Sequence, residues 1–160
     1  MEIEGVDVAV PEGYQLILGQ SHFIKTVEDL YEALATSMPG VKFGLAFCEA
    51  SGKSLIRSDG SDADCRSLAV KYASSVRSGH TFVVVLSGAF PINVLNRIKS
   101  VQEVTEVFCA TSNPVTVVVA DTGKGRGVLG VVDGGYPKGE ETESDAAERK
   151  EFLRRIGYKR

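Results

Sequence analysis

Cysteine is scarce in this chain: three in 160 residues, Cys48, Cys65 and Cys109, set far apart. An odd and scattered set does not make a disulfide framework, and it fits reduced thiols in the cytosol. Long apolar runs are missing as well, none approaching the roughly 20 residues of a membrane span. Residues 1–10, MEIEGVDVAV, carry neither a basic n-region nor an apolar h-region, so a secretion signal is not read there. These absences predict a cytoplasmic protein without membrane contact. Excess positive charge is lacking: 18 Lys and Arg against 21 Asp and Glu leave a net charge of −3. With no basic stripe and no RNA-binding aromatic motif, a nucleic-acid partner is not expected. Only two histidines occur, and no His, Cys and carboxylate set stands at metal-ligand spacing, so no metal site is predicted.

What is present is ordinary globular composition, 43% hydrophobic and 24% charged, in a chain long enough for one compact domain over residues 1–160. Residues 3–10 and 14–19, joined by Pro11-Glu12-Gly13, read as a strand pair with a tight turn. Thr26 with Asp29 resembles a capping box, and Val27, Leu30, Tyr31 and Leu34 follow at helical spacing up to Pro39-Gly40. Residues 41–49 and 54–57 read as paired strands around Ser51-Gly52-Lys53. A helix is predicted over 62–77 and a buried β-branched strand over 81–86. A short helix over 92–99 and strands over 104–110, 115–120 and 128–132 follow. A last helix over 142–156 is acidic at its start and basic at its end, with Gly157 as the C-terminal cap. The fold class is α/β: a single compact domain, a mixed β-sheet with hairpins, and about four helices packed on it.

The densest chemistry lies in Asp121-Thr122-Gly123-Lys124-Gly125-Arg126-Gly127, between two apolar runs. Glycine permits positive φ and close approach of backbone N–H groups to a ligand. Successive amides in such a turn form an anion-binding concavity, with Lys124 and Arg126 adding mobile charge. The other reading is a flexible hairpin turn with solvated cations. Two nucleotide signatures fail on context. Gly125–Gly130 matches G-x-G-x-x-G, but strand-like residues follow where the fingerprint needs a helix. Gly52-Lys53-Ser54 resembles the end of a P-loop, but Phe47 stands where its first glycine belongs.

His22 and His80 are the remaining groups able to act as base or phosphoryl acceptor near neutral pH. Either could instead simply satisfy a strand end by hydrogen bonding. Glu49, Ser51, Asn93, Asn113, Asp121 and Asp133 sit near strand ends, where open α/β sheets place ligands. Glu49 or Asp133 could hold ribose hydroxyls or act as base, and each also suits a turn or cap. Cys48 as nucleophile beside a histidine is a minor option without a local signature.

Laid out in order, these segments carry a family resemblance. Residues 19–34 (GQSHFIKTVEDLYEAL), 42–53 (KFGLAFCEASGK), 79–83 (GHTFV) and 91–96 (PINVLN) resemble the adenosine-specific kinase family. So do 108–115 (FCATSNPV), 125–134 (GRGVLGVVDG) and 152–158 (FLRRIGY). Nearly the whole chain is covered in order. Departures such as Ala89-Phe90 and Gly135-Tyr136 fall in loops before prolines. The resemblance implies an adenosine or AMP ligand and phosphoryl transfer. No Walker motif or paired acidic magnesium ligands of the usual kinases accompany it, and magnesium stays open as an assisting ion. The expected catalytic residues are His22 and His80. The expected ligand-binding residues are Glu49, Lys53, Asn93, Gly123, Lys124, Gly125, Arg126, Gly127 and Asp133. The alternative is a non-catalytic nucleotide-binding sensor or assembly module. The expected partners are a small nucleoside or nucleotide and further copies of the chain in a homo-oligomer.

Overall fold

The structure is a computed structural model that describes residues 1–160. Its strands are β1 (Glu2–Val8), β2 (Tyr14–Ser21), β3 (Lys42–Cys48), β4 (Ile56–Gly60), β5 (Thr81–Ser87), β6 (Val104–Thr111), β7 (Val115–Asp121) and β8 (Arg126–Asp133). Its helices are α1 (Thr26–Ser37), α2 (Ala63–Val76), α3 (Leu95–Lys99) and α4 (Glu143–Arg155), with a 3₁₀ turn at Pro91–Asn93. The α/β class and the four helices agree with the sequence pattern. The single mixed sheet does not: there are two sheets, one ordered β4-β3-β5-β2-β6 and one ordered β1-β7-β8, and every ladder in them is antiparallel.

The large sheet is the spine. Its central strands are apolar on both faces, as a doubly covered sheet requires. Ile17, Phe43, Leu45, Phe82 and Val84 face α1 and α3, where they pack with Val27, Leu30, Leu34 and Ile98. Leu16, Leu18, Ala46, Val83 and Val85 face α2 and the small sheet, meeting Ala69, Val76, Val117 and Val119. Each fully buried Leu, Val or Phe contributes about 2 kcal/mol by leaving water. Helix α2 comes very close to β3 at Gly44, where a Cβ would lie 2.1 Å from the backbone nitrogen of Arg66. Asp62 caps α2 by accepting from the amides of Asp64 and Cys65, and these bonds hold its carboxyl below the usual range.

The expected pairing of the first two strands is corrected: β1 pairs with β7, Val6 opposite Val117, and β2 lies between β5 and β6. The reason is patterning. In β1 exposed residues alternate with half-buried Glu4 and Val6 and buried Val8, whereas Leu16-Ile17-Leu18 is buried throughout, so the two belong to different layers. The capping box at Thr26 is also absent. Lys25 occupies the cap position without a side-chain bond. The Thr26 hydroxyl donates to the Phe23 carbonyl and meets Ser21 Oγ at 2.7 Å, while Asp29 pairs with Lys25. The helix expected over 92–99 divides into the 3₁₀ turn and α3, and β4 begins at Ile56. At the C-terminal end, Thr142 and Asp145 form a reciprocal cap on α4, and Gly157 with φ +82° closes it. No residue of α4 is buried. No helix is long and apolar enough to cross a membrane.

Candidate functional site

Antiparallel order brings the ends of β2 and β3 to the same edge as the starts of β4, β5 and β6. Read across that edge, the chain presents Arg57, Glu49, His80, His22 and Glu103. His80 has φ +61°, a region few side chains adopt. Both its backbone groups are pinned: its N–H donates to Cys48 O at 2.8 Å, and its carbonyl accepts from Ser21 N at 2.9 Å. His22 is exposed in the turn before α1, and its N–H donates to Glu103 O at 3.0 Å. The two imidazoles meet edge to face, ring centroids 5.6 Å apart. Phe47 lies parallel to His80 at 6.1 Å on an interplanar angle of 10°.

Charged groups frame this pair. Arg57 stands over the Phe47 ring at 5.9 Å, with Glu49 at 3.1 Å and Glu28 at 3.6 Å. Glu103 is 6% exposed, and its carboxylate has Lys25 at 3.6 Å but no hydrogen-bond donor. The Lys25 pair offsets only part of the cost of burying that charge, because no hydrogen bond satisfies its oxygens.

The small sheet completes the site. Ser78 Oγ donates to the carbonyl of Arg126 at 2.8 Å, and the two residues form an isolated parallel bridge. This contact sets the β7–β8 turn beside the loop that follows α2. Between them and the β3–β4 hairpin lies a cleft of about 600 Å³, lined among others by Glu49, Ser54, Arg77, Ser78, Lys124 and Arg126.

The glycine turn is tighter than its sequence suggests, because Arg126 and Gly127 already belong to β8. Only Gly123, with φ +77°, uses the left-handed region. Its N–H donates to Asp121 Oδ1 at 2.8 Å, the Lys124 N–H to Thr122 Oγ1 at 3.4 Å, and the Thr122 N–H to the Gly125 carbonyl at 3.0 Å. The amides of Gly123 and Lys124 therefore do not form an open anion cradle: short Asp and Thr side chains take them first, as these residues do in turns. Arg126 is engaged too, by Asp121 at 2.9 Å and Glu4 at 2.8 Å. The Gly123 amide and Arg126 together hold the Asp121 carboxyl below its usual range. Lys124 and Arg77 take part in no ion pair, which makes them the free cations of the cleft.

The structure thus gathers His22, His80, Glu49, Lys124, Gly125 and Arg126 at one end of the molecule. Lys53 sits nearby at the exposed tip of the β3–β4 hairpin. Asn93 and Asp133 lie elsewhere. Asn93 follows the far end of β5, accepting from the Phe90 amide at 2.9 Å and donating to the Tyr158 hydroxyl at 3.0 Å. Asp133 is the last residue of β8, about 23 Å of strand from Arg126. It accepts from Thr111 at 2.8 Å and Asn113 at 3.0 Å. Cys48 points to the α2 side of the sheet, away from the imidazoles. Its thiol lies 3.6 Å from the Ala73 carbonyl, and burial pushes it up to about 11, against a nucleophilic role. Arg57, Phe47, Arg77 and Ser78 escaped sequence reasoning. Their contacts to the site run between strands and carry no local signature. Only Ser78-Gly79-His80, between a helix and a buried strand, marked this place.

Fold and cleft together define an α/β protein with paired imidazoles and free cations at one end of an antiparallel sheet. The chain belongs to the adenosine-specific kinase family, whose model matches residues 6–159. It is similar to the crystal structure of the PH1918 protein from Pyrococcus horikoshii OT3, at 45% sequence identity and a TM-score of 0.93. That match covers 99% of this chain and 98% of the other. No curated protein matches.

Proposed function

We propose that the chain binds adenosine or AMP in the cleft between the β3–β4 hairpin and the β7–β8 turn, and that a phosphoryl group is transferred there. The observation that carries this reading is the cleft lined by the unpaired cations Arg77 and Lys124, with His80 next in the chain after its lining residues Ser78 and Gly79 and His22 5.6 Å from that imidazole. Membership of the adenosine-specific kinase family supports the ligand. In this reading Lys124 and Arg77 neutralise phosphate charge, with Lys53 in reach from the hairpin tip. One imidazole takes the proton of the attacking adenosine hydroxyl as the γ-phosphoryl group leaves a nucleoside triphosphate and the diphosphate departs, or itself accepts that phosphoryl group first and then passes it to the hydroxyl. Glu49 and the amide of Gly125 face the sugar. No three His, Cys, Asp or Glu side chains are grouped to hold a metal ion, and Glu49 is already engaged by Arg57. The cleft therefore fits a resident magnesium poorly.

The reading places the protein in the cytoplasm, which suits its three free thiols. It also places it in a homo-oligomer, which suits exposed apolar side chains such as Ile92, Leu129 and Phe152. A second reading is a sensor that binds without turnover. The use of the turn's amides by Asp121 and Thr122 favours it, since a phosphate-gripping loop needs those amides free. Calorimetry with adenosine, AMP and ATP tests binding, and chromatography of ATP–adenosine incubations tests transfer. Binding with no product selects the sensor, and no heat with any of the three removes both readings.

A further inference from the structure

Arg57 is the one side chain that touches both walls supporting the imidazole pair. Across the β3–β4 ladder it stands directly opposite Phe47, and its guanidinium lies over that ring at 5.9 Å. Phe47 in turn stacks on His80. In the other direction the guanidinium donates to the carbonyl of Ile24, two residues beyond His22, and approaches Glu28 of α1 at 3.6 Å. Its Nε lies 3.1 Å from Glu49, close enough for an ion pair but not aligned for a hydrogen bond. The loop that carries His22 is held on its opposite side by Glu103, through the His22 amide and through Lys25.

We propose that Arg57 is a positioning residue that sets the spacing between His22 and His80. A planar guanidinium can stack on a ring and donate in its own plane at the same time, where a lysine ammonium offers only a point charge. It therefore couples the rigid Phe47–His80 stack to the His22 loop, whose tip residues Phe23 and Ile24 are exposed and otherwise lightly packed. His80, pinned through its backbone, is the fixed partner. His22 is the one that needs holding. The proposal rests on the reading of this pair as the reacting groups, but its geometry stands apart from any turnover.

The test compares the wild-type chain with Arg57→Ala and Arg57→Met, the latter keeping a stem over Phe47 if the alanine variant fails to fold. Nuclear Overhauser cross-peaks between the His22 and His80 ring protons are recorded beside the backbone amide spectrum. The expected result is an unchanged amide spectrum outside residues 22–28 and 47–57, with the inter-ring cross-peak lost in both variants. Full cross-peak intensity in a folded variant overturns the proposal. If the wild type transfers phosphate, kcat should fall about 100-fold with KM unchanged, as for a reacting group displaced by about 1 Å. A raised KM with unchanged kcat would instead make Arg57 a ligand contact and overturn the proposal. If the wild type makes no product, phosphoryl transfer fails while the cross-peak still decides the role of Arg57.

Discussion

His22 and His80, far apart in the chain, meet edge to face because β2 ends beside the start of β5. Two imidazoles on one edge supply a base, a phosphoryl acceptor, or both in sequence. If transfer occurs, His22→Ala and His80→Ala should each lower it by about 10²- to 10⁴-fold, the usual worth of a positioned proton-transfer group. Adenosine affinity should change little. Product chromatography and calorimetry on the same samples read the two quantities separately, and full turnover in either variant would remove that imidazole from the reaction.

Lys124, like Arg77, is an exposed cation of the cleft without an ion-pair partner. Lys124→Ala should weaken AMP about tenfold, the scale of one charge-assisted hydrogen bond, and leave adenosine unaffected. Asn93→Ala and Asp133→Ala, at the opposite end of the sheet, should alter neither affinity. Calorimetric titration of all three variants with both ligands makes this check.

Gly44 marks the closest approach of α2 to the sheet. In Gly44→Ala the added methyl would press on backbone atoms of Cys65 and Arg66, so helix or strand must shift. Overpacking of this kind costs typically 1–3 kcal/mol and here should reach the upper end or beyond. Urea denaturation should show a lower midpoint with an unchanged slope.

All three thiols are buried. Burial pushes Cys48 and Cys109 up to about 11 and Cys65 up to about 12, from an ordinary value of 9.0. The fold thus keeps protons that the unfolded chain sheds earlier. The resulting stability is intact below about pH 9 and is lost as pH rises towards 11 and 12. Thermal melts should show a falling midpoint across that window. Iodoacetamide at neutral pH should label the native protein very slowly and all three cysteines rapidly in denaturant. Fast native labelling of Cys48 would reopen the thiol as a nucleophile.

Much of the fold was legible because its signals are local. The β-branched run over 81–86 read as a strand covered on both faces, which the structure extends by one residue to Ser87, and the apolar periodic stretch from Asp62 marked α2. Gly157 closed α4 for the same reason. What was hidden depends on distant partners. β1 could not announce a pairing with β7, nor could Thr26 reveal that its hydroxyl turns back to Phe23. In the site, both histidines and the Lys124 turn stood out as rare residue types in glycine-rich settings. The role of Asp121 and Thr122 in closing that turn did not, because the same residues also occur in open anion cradles. Asn93 and Asp133 looked like ligand residues because they follow strands. In an antiparallel sheet strand ends fall at both edges, so that clue selects no single one.

The most direct measurement is the crystal structure of the chain soaked with AMP. The account predicts the phosphate within hydrogen-bond reach of Lys124 or Arg77, with the nucleoside directed towards His22 and His80. AMP seated instead at the far end of the sheet, in the apolar groove between Phe90, Phe152 and Tyr158, would contradict it.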